Sequence, residues 1–188
     1  MPISTREATI GDVSTLVDMM REFYAEAQYA LDSEWAKSSF SALLTDSSRG
    51  GIWIVYLDDA AAGYVVVTYR FSMEFGGMDA FIDDLFVFSK YRRQGIGKAA
   101  LTAAFEACVR RQILAVHVET STNNSPAVAL YGGFGMRDRQ RLLLTKKLTS
   151  RCEVLLIGKQ PNQLPDPTSP SVTPPARAGG APSVAADH

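Results

Sequence analysis

Residues 81–104 constrain the fold of this chain more than any other stretch. They predict an apolar strand (81–88), a short basic turn, two glycines at Gly95 and Gly97, and then an alanine-rich helix. Glycine lets the backbone turn tightly and lets a ligand approach, and the first N–H groups of a helix have no partner within the helix. Three basic side chains add charge at the positive end of the helix dipole: Arg92, Arg93 and Lys98. The stretch therefore predicts a site for phosphate or pyrophosphate.

Length, charge and cysteine content limit the broad class of protein. The 188 residues suffice for one domain with a sizeable core, and the formal net charge of −1 gives no general attraction to nucleic acid or to an anionic membrane. No apolar stretch reaches the roughly 20 residues of a transmembrane helix, and no signal peptide is recognisable. The two cysteines, Cys108 and Cys152, lie far apart, so a reduced setting is the simpler interpretation and one disulfide is the alternative. We expect a soluble, cytoplasmic protein without a nucleic-acid or membrane partner.

Hydrophobic periodicity and turn signals predict the remaining elements. Further strands are predicted at 3–8, 52–57, 62–71, 114–119, 139–148 and 152–157, and helices at 13–27, 33–45, 96–112 and 125–132. The strand 81–88, the helix after it and the strand 114–119 form a β-α-β unit, so parallel pairing with a right-handed crossover is expected.

The composition changes near residue 160. Seven of the nine prolines lie in 161–188, among Ser, Thr, Ala and Gly with few large apolar side chains. Such a segment cannot bury enough surface to offset its ordering entropy. We predict a folded domain over 1–159 and a disordered tail over 160–188.

Two other phosphate-binding loops compete for the glycine turn. A Walker loop would need Gly in place of Arg92 and Ser or Thr in place of Ala99, so it fails at two positions. A dinucleotide fingerprint is formally matched by Gly95, Gly97 and Ala100, with Glu119 where a ribose-binding acid belongs. That fingerprint turns directly from strand to glycine, whereas Ser89 to Gln94 intervene here. The nicotinamide-dependent enzyme therefore stays only as a distant alternative.

A family resemblance identifies the loop more closely. The segment Arg92-x-x-Gly95-x-Gly97, after Asp-Leu-Phe-Val, resembles the acetyl-CoA pyrophosphate loop of the GNAT superfamily of N-acetyltransferases. Downstream, Asn124-x-x-Ala127-x-x-Leu130-Tyr131-x-x-x-Gly135-Met136 resembles the second cofactor motif of that superfamily, with Met where Phe is common. The resemblance covers about residues 3–157. It implies an α/β (α+β) acyl-CoA N-acyltransferase fold: a mixed, mostly antiparallel twisted sheet of six to seven strands flanked by four helices.

The resemblance also implies which residues bind acetyl-CoA as cosubstrate. The backbone N–H groups that would cradle its pyrophosphate are those of Gln94, Gly95, Ile96, Gly97 and Lys98. Arg92, Arg93 or Lys98 would meet its phosphates. The backbone of Leu85, Phe86 and Val87 would pair with the pantetheine arm like an added strand, which requires the central strand and the next one to splay apart. Asn124, Ala127 and Tyr131 would contact the cofactor, and Asn124 is equally well explained as a helix N-cap.

The implied chemistry needs a base for the amine and an acid for the departing thiolate. Tyr131 matches the family's tyrosine beside the cofactor sulfur and would be the acid; a structural tyrosine is the alternative. Asp83 and Asp84 lie in an otherwise apolar strand, where successive side chains face opposite sides and only one can face a cleft. The family often has an acidic residue at the position of Asp83, which we therefore predict as the base. Glu119 is the rival base, and a capping or ion-paired role is the alternative for Asp83.

The acceptor and the oligomeric state are the least constrained. The expected cleft is lined by aromatic and acidic residues that suit a cationic amine, as in the polyamine-acetylating branch that the Ile-Asp-Asp-Leu-Phe-Val strand resembles: Phe23, Tyr24, Tyr29, Trp35, Phe71, Met73, Glu74 and Phe75. His117 lies mid-strand and is predicted to be a core residue, and no metal site is predicted. Homodimerisation is common in the superfamily, but the chain does not decide it. We predict N-acetyl transfer from acetyl-CoA to a primary amine by direct attack, with a non-catalytic acyl-CoA sensor as the alternative.

Overall fold

The computed structural model describes residues 2–146 and 148. Five strands form one sheet: β1 (Ile3–Glu7), β2 (Gly50–Leu57), β3 (Ala60–Ser72), β4 (Gly77–Val87) and β5 (Val116–Val118). Four α-helices accompany it: α1 (Val13–Glu26), α2 (Ser33–Leu44), α3 (Ile96–Arg110) and α4 (Ser125–Gly133). Two 3₁₀ turns, Ile10–Asp12 and Ser89–Tyr91, precede α1 and the glycine turn. The element order agrees with the sequence prediction up to the end of α4.

The sheet is mixed and mostly antiparallel, as predicted. Its strands lie in the order β1-β2-β3-β4-β5, with antiparallel pairing from β1 through β4 and parallel pairing between β4 and β5. Three residue pairs join the parallel strands: Ala80↔Val116, Phe81↔His117 and Ile82↔Val118. The predicted β-α-β unit is therefore confirmed, although β5 is shorter than the strand predicted at 114–119.

The prediction of a strand at 139–148 is wrong for the residues described there. Residues 138–146 and 148 belong to no helix or strand, and all of them are exposed. A segment with apolar residues such as Leu142, Leu143 and Leu144 does not pair by itself, because a strand needs a neighbour to satisfy its backbone. The described part of the chain thus has five strands rather than six or seven. The strand predicted at 152–157, Cys152 and the tail over 160–188 lie outside the described residues.

Helices pack on both faces of the sheet. The ring of Phe23 in α1 lies 5.6 Å from that of Phe86, and the ring of Phe40 in α2 lies 6.1 Å from that of Tyr64. Because Tyr64 pairs with Phe86 across β3 and β4, both helices cover the same face, named here the Tyr64 face. On the other face, the guanidinium of Arg111 at the end of α3 lies 5.0 Å from the ring centre of Tyr69. Small residues on α3, including the fully buried Ala100, allow a close approach to the sheet.

A β-bulge interrupts the central strand at Asp83. Val67 pairs with Ile82 and its neighbour Val66 pairs with Asp84, so Asp83 is an extra residue without a register partner on β3. Bulges of this kind bend a strand and re-aim its side chains, and they are common next to active sites. The simple alternation of faces assumed from the sequence therefore does not hold at Asp83 and Asp84.

Candidate active site

The two parallel strands separate beyond the bulge. The last pair between them is Ile82↔Val118, whereas β4 continues for five more residues to Val87. The side chains of Leu85, Phe86 and Val87 are almost fully buried, so only their backbone could serve a ligand. An extended group could occupy the gap and pair with β4 as an added strand would. β4 therefore has an edge beyond Ile82 that no described strand pairs with, on the side where the pantetheine arm was predicted.

The glycine turn has the backbone conformation expected of an anion-binding loop. Gly95 precedes the first helical residue, Ile96, with φ of 87°, and Arg93 also has a positive φ of 59°. Only glycine adopts such a conformation without strain, which explains the glycine at the N-cap of α3. The side chain of Ile96 is fully buried, so Ile96 offers only its backbone. The amides of Gly97 and Lys98, in the first turn of α3, have no carbonyl four residues earlier within the helix to bind.

The basic residues of the loop divide into two groups. Arg92 donates from Nε to the carbonyl of Val87 at 3.0 Å and forms an ion pair with Glu26 at the end of α1. It therefore ties the loop to β4 and α1. Arg93 and Lys98 are exposed. Lys98 and Gly95 also line a groove of about 460 Å³ between β1 and α3. The exposed cations that could meet a phosphate without breaking a described contact are thus Arg93 and Lys98.

Asp84, the neighbour of the predicted base Asp83, also has an environment suited to a base. Its carboxylate is partly buried on the Tyr64 face and accepts a hydrogen bond from the hydroxyl of Tyr64 at 3.2 Å. Burial and the negative charge of Asp83 raise the pKa of Asp84 to about 7, against the opposing effect of the Tyr64 hydrogen bond. A carboxyl group with this pKa is ionised for half of the time near neutral pH and can take up a proton there. The sequence analysis chose Asp83 over Asp84 from the family resemblance, because alternation along the strand does not say which of the two acids faces a cleft.

The two acids that were predicted as bases lie beside Asp84. Asp83 as a whole residue is exposed at the bulge, but neighbouring atoms partly shield its carboxylate from water, and this desolvation raises its pKa. Glu119 follows β5 directly and is partly buried; burial, and then the charge of Asp83, raise its pKa. The fold thus brings three carboxylates together near the end of the β4–β5 pairing, and the charge of Asp83 makes ionisation of the other two harder.

Tyr131 in α4 lies within reach of the charge of Asp84. Its side chain is only 6% exposed, and burial followed by the negative charge of Asp84 raises its pKa, so the hydroxyl keeps its proton. Asn124 caps α4 by accepting a hydrogen bond from the amide of Ala127 at 3.1 Å, which confirms the N-cap interpretation. The Ala127 side chain is fully buried in the core. The cap fixes the start of the helix that carries Tyr131.

The residues predicted to line an acceptor cleft do not form one set. Phe23 is buried in the core, whereas Phe71 and Met73 are largely exposed near the β3–β4 turn.

Among the described residues, no helix is long and apolar enough to cross a membrane. No group of three or more potential ligands suited to a metal ion occurs in that part of the chain. Cys108 is a free, buried thiol.

A comparison with known families decides the class of this site. The model of the acetyltransferase (GNAT) family matches residues 16–136, from α1 to the end of the second predicted cofactor motif. The chain belongs to the GNAT family of acetyltransferases. It is accordingly an enzyme of the acetyl-CoA-dependent N-acetyltransferase class, as the glycine turn and the Asn124–Met136 segment predicted.

Relatives of this GNAT protein include a protein of Bacillus subtilis (strain 168) predicted to be a ribosomal protein bS18-alanine N-acetyltransferase. The two are 27% identical over 122 residues, covering 65% of this chain and 76% of the relative. Among solved structures, the integron cassette protein HFX_CASS3 from the mobile metagenome of Cole Harbour Salt Marsh is 38% identical, with a TM-score of 0.71 over 78% of this chain and 91% of the other. A predicted acetyltransferase of Clostridium acetobutylicum, solved with acetyl-CoA, shares the fold at 16% identity, with a TM-score of 0.65 over 77% of this chain and 96% of the other.

Proposed function

We propose that this GNAT protein transfers the acetyl group of acetyl-CoA to a primary amine by direct attack, with Asp84 as base and Tyr131 as acid. The observation that carries the proposal is the pairing of these two groups. Asp84 can accept a proton near neutral pH, whereas Tyr131, whose pKa is raised by burial and then by the charge of Asp84, keeps its proton. Proton removal and proton donation are the two tasks that aminolysis of a thioester sets. Asp83 and Glu119 would then tune the charge of the site rather than take up the proton.

The cofactor would lie across the gap between β4 and β5. Its pyrophosphate would bind the N-terminal amides of α3 from Gln94 to Lys98, with Arg93 and Lys98 supplying full charge. Its pantetheine arm would follow the backbone of Leu85 to Val87 towards the carboxylates. Asn124 would help to place this arm from the start of α4. The free edge of β4 beyond Ile82 supports this path, since no other described strand pairs there.

The proposed reaction balances without a covalent enzyme intermediate. The amine, bound as an ammonium ion, first loses a proton to the carboxylate of Asp84. The neutral nitrogen then attacks the carbonyl carbon of the thioester, so that a C–N bond forms and the C–S bond breaks. The second nitrogen proton passes to solvent as the amide forms, and Tyr131 protonates the departing sulfur. Tyr131 then regains a proton from solvent and Asp84 releases its proton to solvent, so that one proton is released per turnover. Holding the two reactants in one cleft adds the benefit of proximity.

The acceptor is proposed to be cationic. Asp83, Asp84 and Glu119 form a group of carboxylates whose pKa values all rise through burial, and in two cases through the charge of Asp83 as well. A bound ammonium group would relieve that repulsion. The B. subtilis relative is named as an N-acetyltransferase of alanine in ribosomal protein bS18, and a free alanine amine is also a primary ammonium group at neutral pH. Peptide and small-molecule amines both satisfy this requirement.

The first test is acetyl-CoA binding followed by turnover. We expect saturable binding of acetyl-CoA by calorimetry, and release of free CoA thiol with spermidine, benzylamine or an alanine-initiated peptide, confirmed by the mass of the acetylated product. Tyr131→Phe should bind acetyl-CoA as the wild type does but lose most turnover. Binding without turnover of any amine in wild-type protein would favour the sensor, and absence of acetyl-CoA binding would refute both functions.

A further inference from the structure

Three polar side chains, Arg70 on β3, Asp79 on β4 and His117 on β5, form a cluster near the start of β4. Asp79 has no exposed surface and accepts two hydrogen bonds from Arg70, to its two oxygens, at 2.7 and 3.0 Å. The Nε2 atom of His117 lies 3.1 Å from Oδ2 of the same carboxylate. Arg70 pairs with Asp79 across β3 and β4, and His117 lies beside Phe81 across β4 and β5. The proposed reaction uses none of these three residues.

The charge of Asp79 fixes the tautomer of His117. Burial alone would raise the pKa of Asp79, but Arg70 and then His117 outweigh it and hold the pKa below its ordinary value. The carboxylate is therefore ionised and can only accept, so Nε2 of His117 must carry the hydrogen. In a neutral imidazole the other nitrogen, Nδ1, is then an acceptor. No hydrogen bond to Nδ1 occurs among the described residues, and 24% of the His117 side chain is exposed.

Aromatic rings hold the imidazole in place. The ring of Phe81 is stacked against it at 6.1 Å, and the ring of Phe75 from the β3–β4 turn lies at 5.8 Å on a tilted plane. The guanidinium of Arg70 lies 5.7 Å from the centre of the Phe81 ring and fixes that ring in turn. A histidine that is fixed by a buried carboxylate and two rings presents its remaining nitrogen in a defined position.

The cluster lies on the same face of the sheet as the proposed base. His117 pairs with Phe81, Phe81 with Thr68, and Asp84 with Val66, two residues from Thr68 on β3. Residues two apart on a strand share a face, so His117 and Asp84 both lie on the Tyr64 face. With about 3.3 Å per residue and the bulge between them, the two positions are about 7 to 10 Å apart along the strand.

We propose that His117 is an acceptor-binding residue whose Nδ1 accepts a hydrogen bond from a second donor group of the amine substrate, about 7 to 10 Å from the reacting nitrogen. The substrate class is thus an amine with a second N–H or O–H donor at that distance, joined by an apolar spacer that contacts Phe75 and Phe81. Asp79 and Arg70 are positioning residues that act through His117. This inference rests on the proposed function, because it needs an amine to bind on the Tyr64 face.

Two substitutions separate the two nitrogens of the imidazole. His117→Gln places a polar group near the position of Nε2 and keeps a partner for Asp79, but it removes the acceptor at Nδ1. His117→Asn places an oxygen near the position of Nδ1 and loses the contact with Asp79. The probes are 1,8-diaminooctane, which has a second donor, and octylamine, which has none. Steady-state kinetics with saturating acetyl-CoA give KM and kcat for each pair.

We expect His117→Gln to raise KM for the diamine about tenfold, the effect of one lost hydrogen bond, with little change in kcat, in KM for octylamine or in acetyl-CoA affinity. His117→Asn should keep most of the diamine preference. An unchanged diamine preference in His117→Gln would overturn the proposal. Equal losses in both variants would overturn it too, since a purely structural role of the ring predicts that result.

A second measurement is independent of turnover. Long-range ¹⁵N–¹H spectra of the ligand-free protein at pH 8 should show His117 with a hydrogen on Nε2 and none on Nδ1. The sequence has one other histidine, His188, so the signals that disappear in the His117→Gln variant are those of His117. A hydrogen on Nδ1 would overturn the inference whatever the enzyme acetylates. If the wild-type protein acetylates none of the amines but shows the expected tautomer, the proposed function is refuted and the tautomer of His117 is not.

Discussion

Replacing Asp84 by Asn should make the folded protein more stable at alkaline pH while it removes activity. The carboxyl pKa rises from its ordinary value of 3.8 to about 7 in the fold, mainly through burial. Below pH 3.8 the group is protonated in both the folded and the unfolded chain, and no penalty arises. Between 3.8 and 7 the folded chain holds a proton that the unfolded chain has released, so the free energy of unfolding falls as the pH rises. Above pH 7 the loss is complete.

The size of this loss follows from the pKa difference. About three pH units at 1.36 kcal/mol each give about 4 kcal/mol as an upper value, which local relaxation and water penetration would reduce to about 2 to 4 kcal/mol. Asparagine has nearly the shape of the protonated carboxyl group but does not ionise. The difference in unfolding free energy between Asp84→Asn and wild type should therefore grow by this amount between pH 4 and pH 8.

Urea denaturation across this pH range measures the difference directly, because the titration of all other groups largely cancels between the two proteins. Asp59→Asn, in the exposed turn between β2 and β3, is the matched control and should give a flat difference. The turnover of Asp84→Asn should fall by about 10² to 10⁴, the usual contribution of a general base. A flat difference for Asp84→Asn, within about 0.5 kcal/mol, would refute the reasoning about its burial.

Three further changes test other parts of the site. Tyr131→Phe should lower kcat by about 10² or more, with acetyl-CoA affinity by calorimetry unchanged, because it removes only the proton donor; a parallel loss of affinity would contradict that role. Asn124→Ala should cost about 1 kcal/mol in unfolding free energy through loss of the α4 cap, with Asn124→Asp as the control that keeps a capping oxygen. Gly95→Ala forces a side chain into a left-handed conformation that costs about 1 to 2 kcal/mol. It should weaken acetyl-CoA binding, whereas Gly132→Ala, where an added Cβ meets no atom, should not.

Most of the fold could be predicted because its signals are local. The glycine turn, the periodicity of α1 to α3 and the β-α-β unit each depend on a few adjacent residues, and all of them appear in the structure. The strand predicted at 139–148 depended instead on a pairing partner that lies elsewhere in the chain. Periodicity records which faces of a segment are apolar, but it does not record whether a neighbouring strand is available. The length of β5 was overestimated for the same reason.

The candidate site was predictable to the level of motifs but not of individual acids. Gly95 and Asn124 lie at the starts of α3 and α4, as local sequence signals predicted. The cofactor roles of these two residues and the acid role of Tyr131 came from the family resemblance and stay predictions. His117 was assigned to the core because its apolar neighbours hide the contact with Asp79, which lies 38 residues earlier in the chain. The ion pair between Asp79 and Arg70 on the neighbouring strand cannot be recognised from the residues around either one in the sequence.

The bulge at Asp83 changes which residues of β4 share a face. With regular alternation, Ile82, Asp84 and Phe86 would share one face, and Asp83 would lie on the other with Leu85. The bulge keeps Asp84 aligned with Val66, on the face of Tyr64 and Phe86, but it places Ile82 on the opposite face with Val67 and leaves Asp83 without a partner on β3. Asp84 reaches the Tyr64 hydroxyl from that face, whereas Asp83 stays exposed and its charge helps to raise the pKa of Asp84. A sequence with adjacent acids in an apolar strand should therefore be examined for a bulge before either acid is assigned a role, since the bulge removes one of them from the regular pairing.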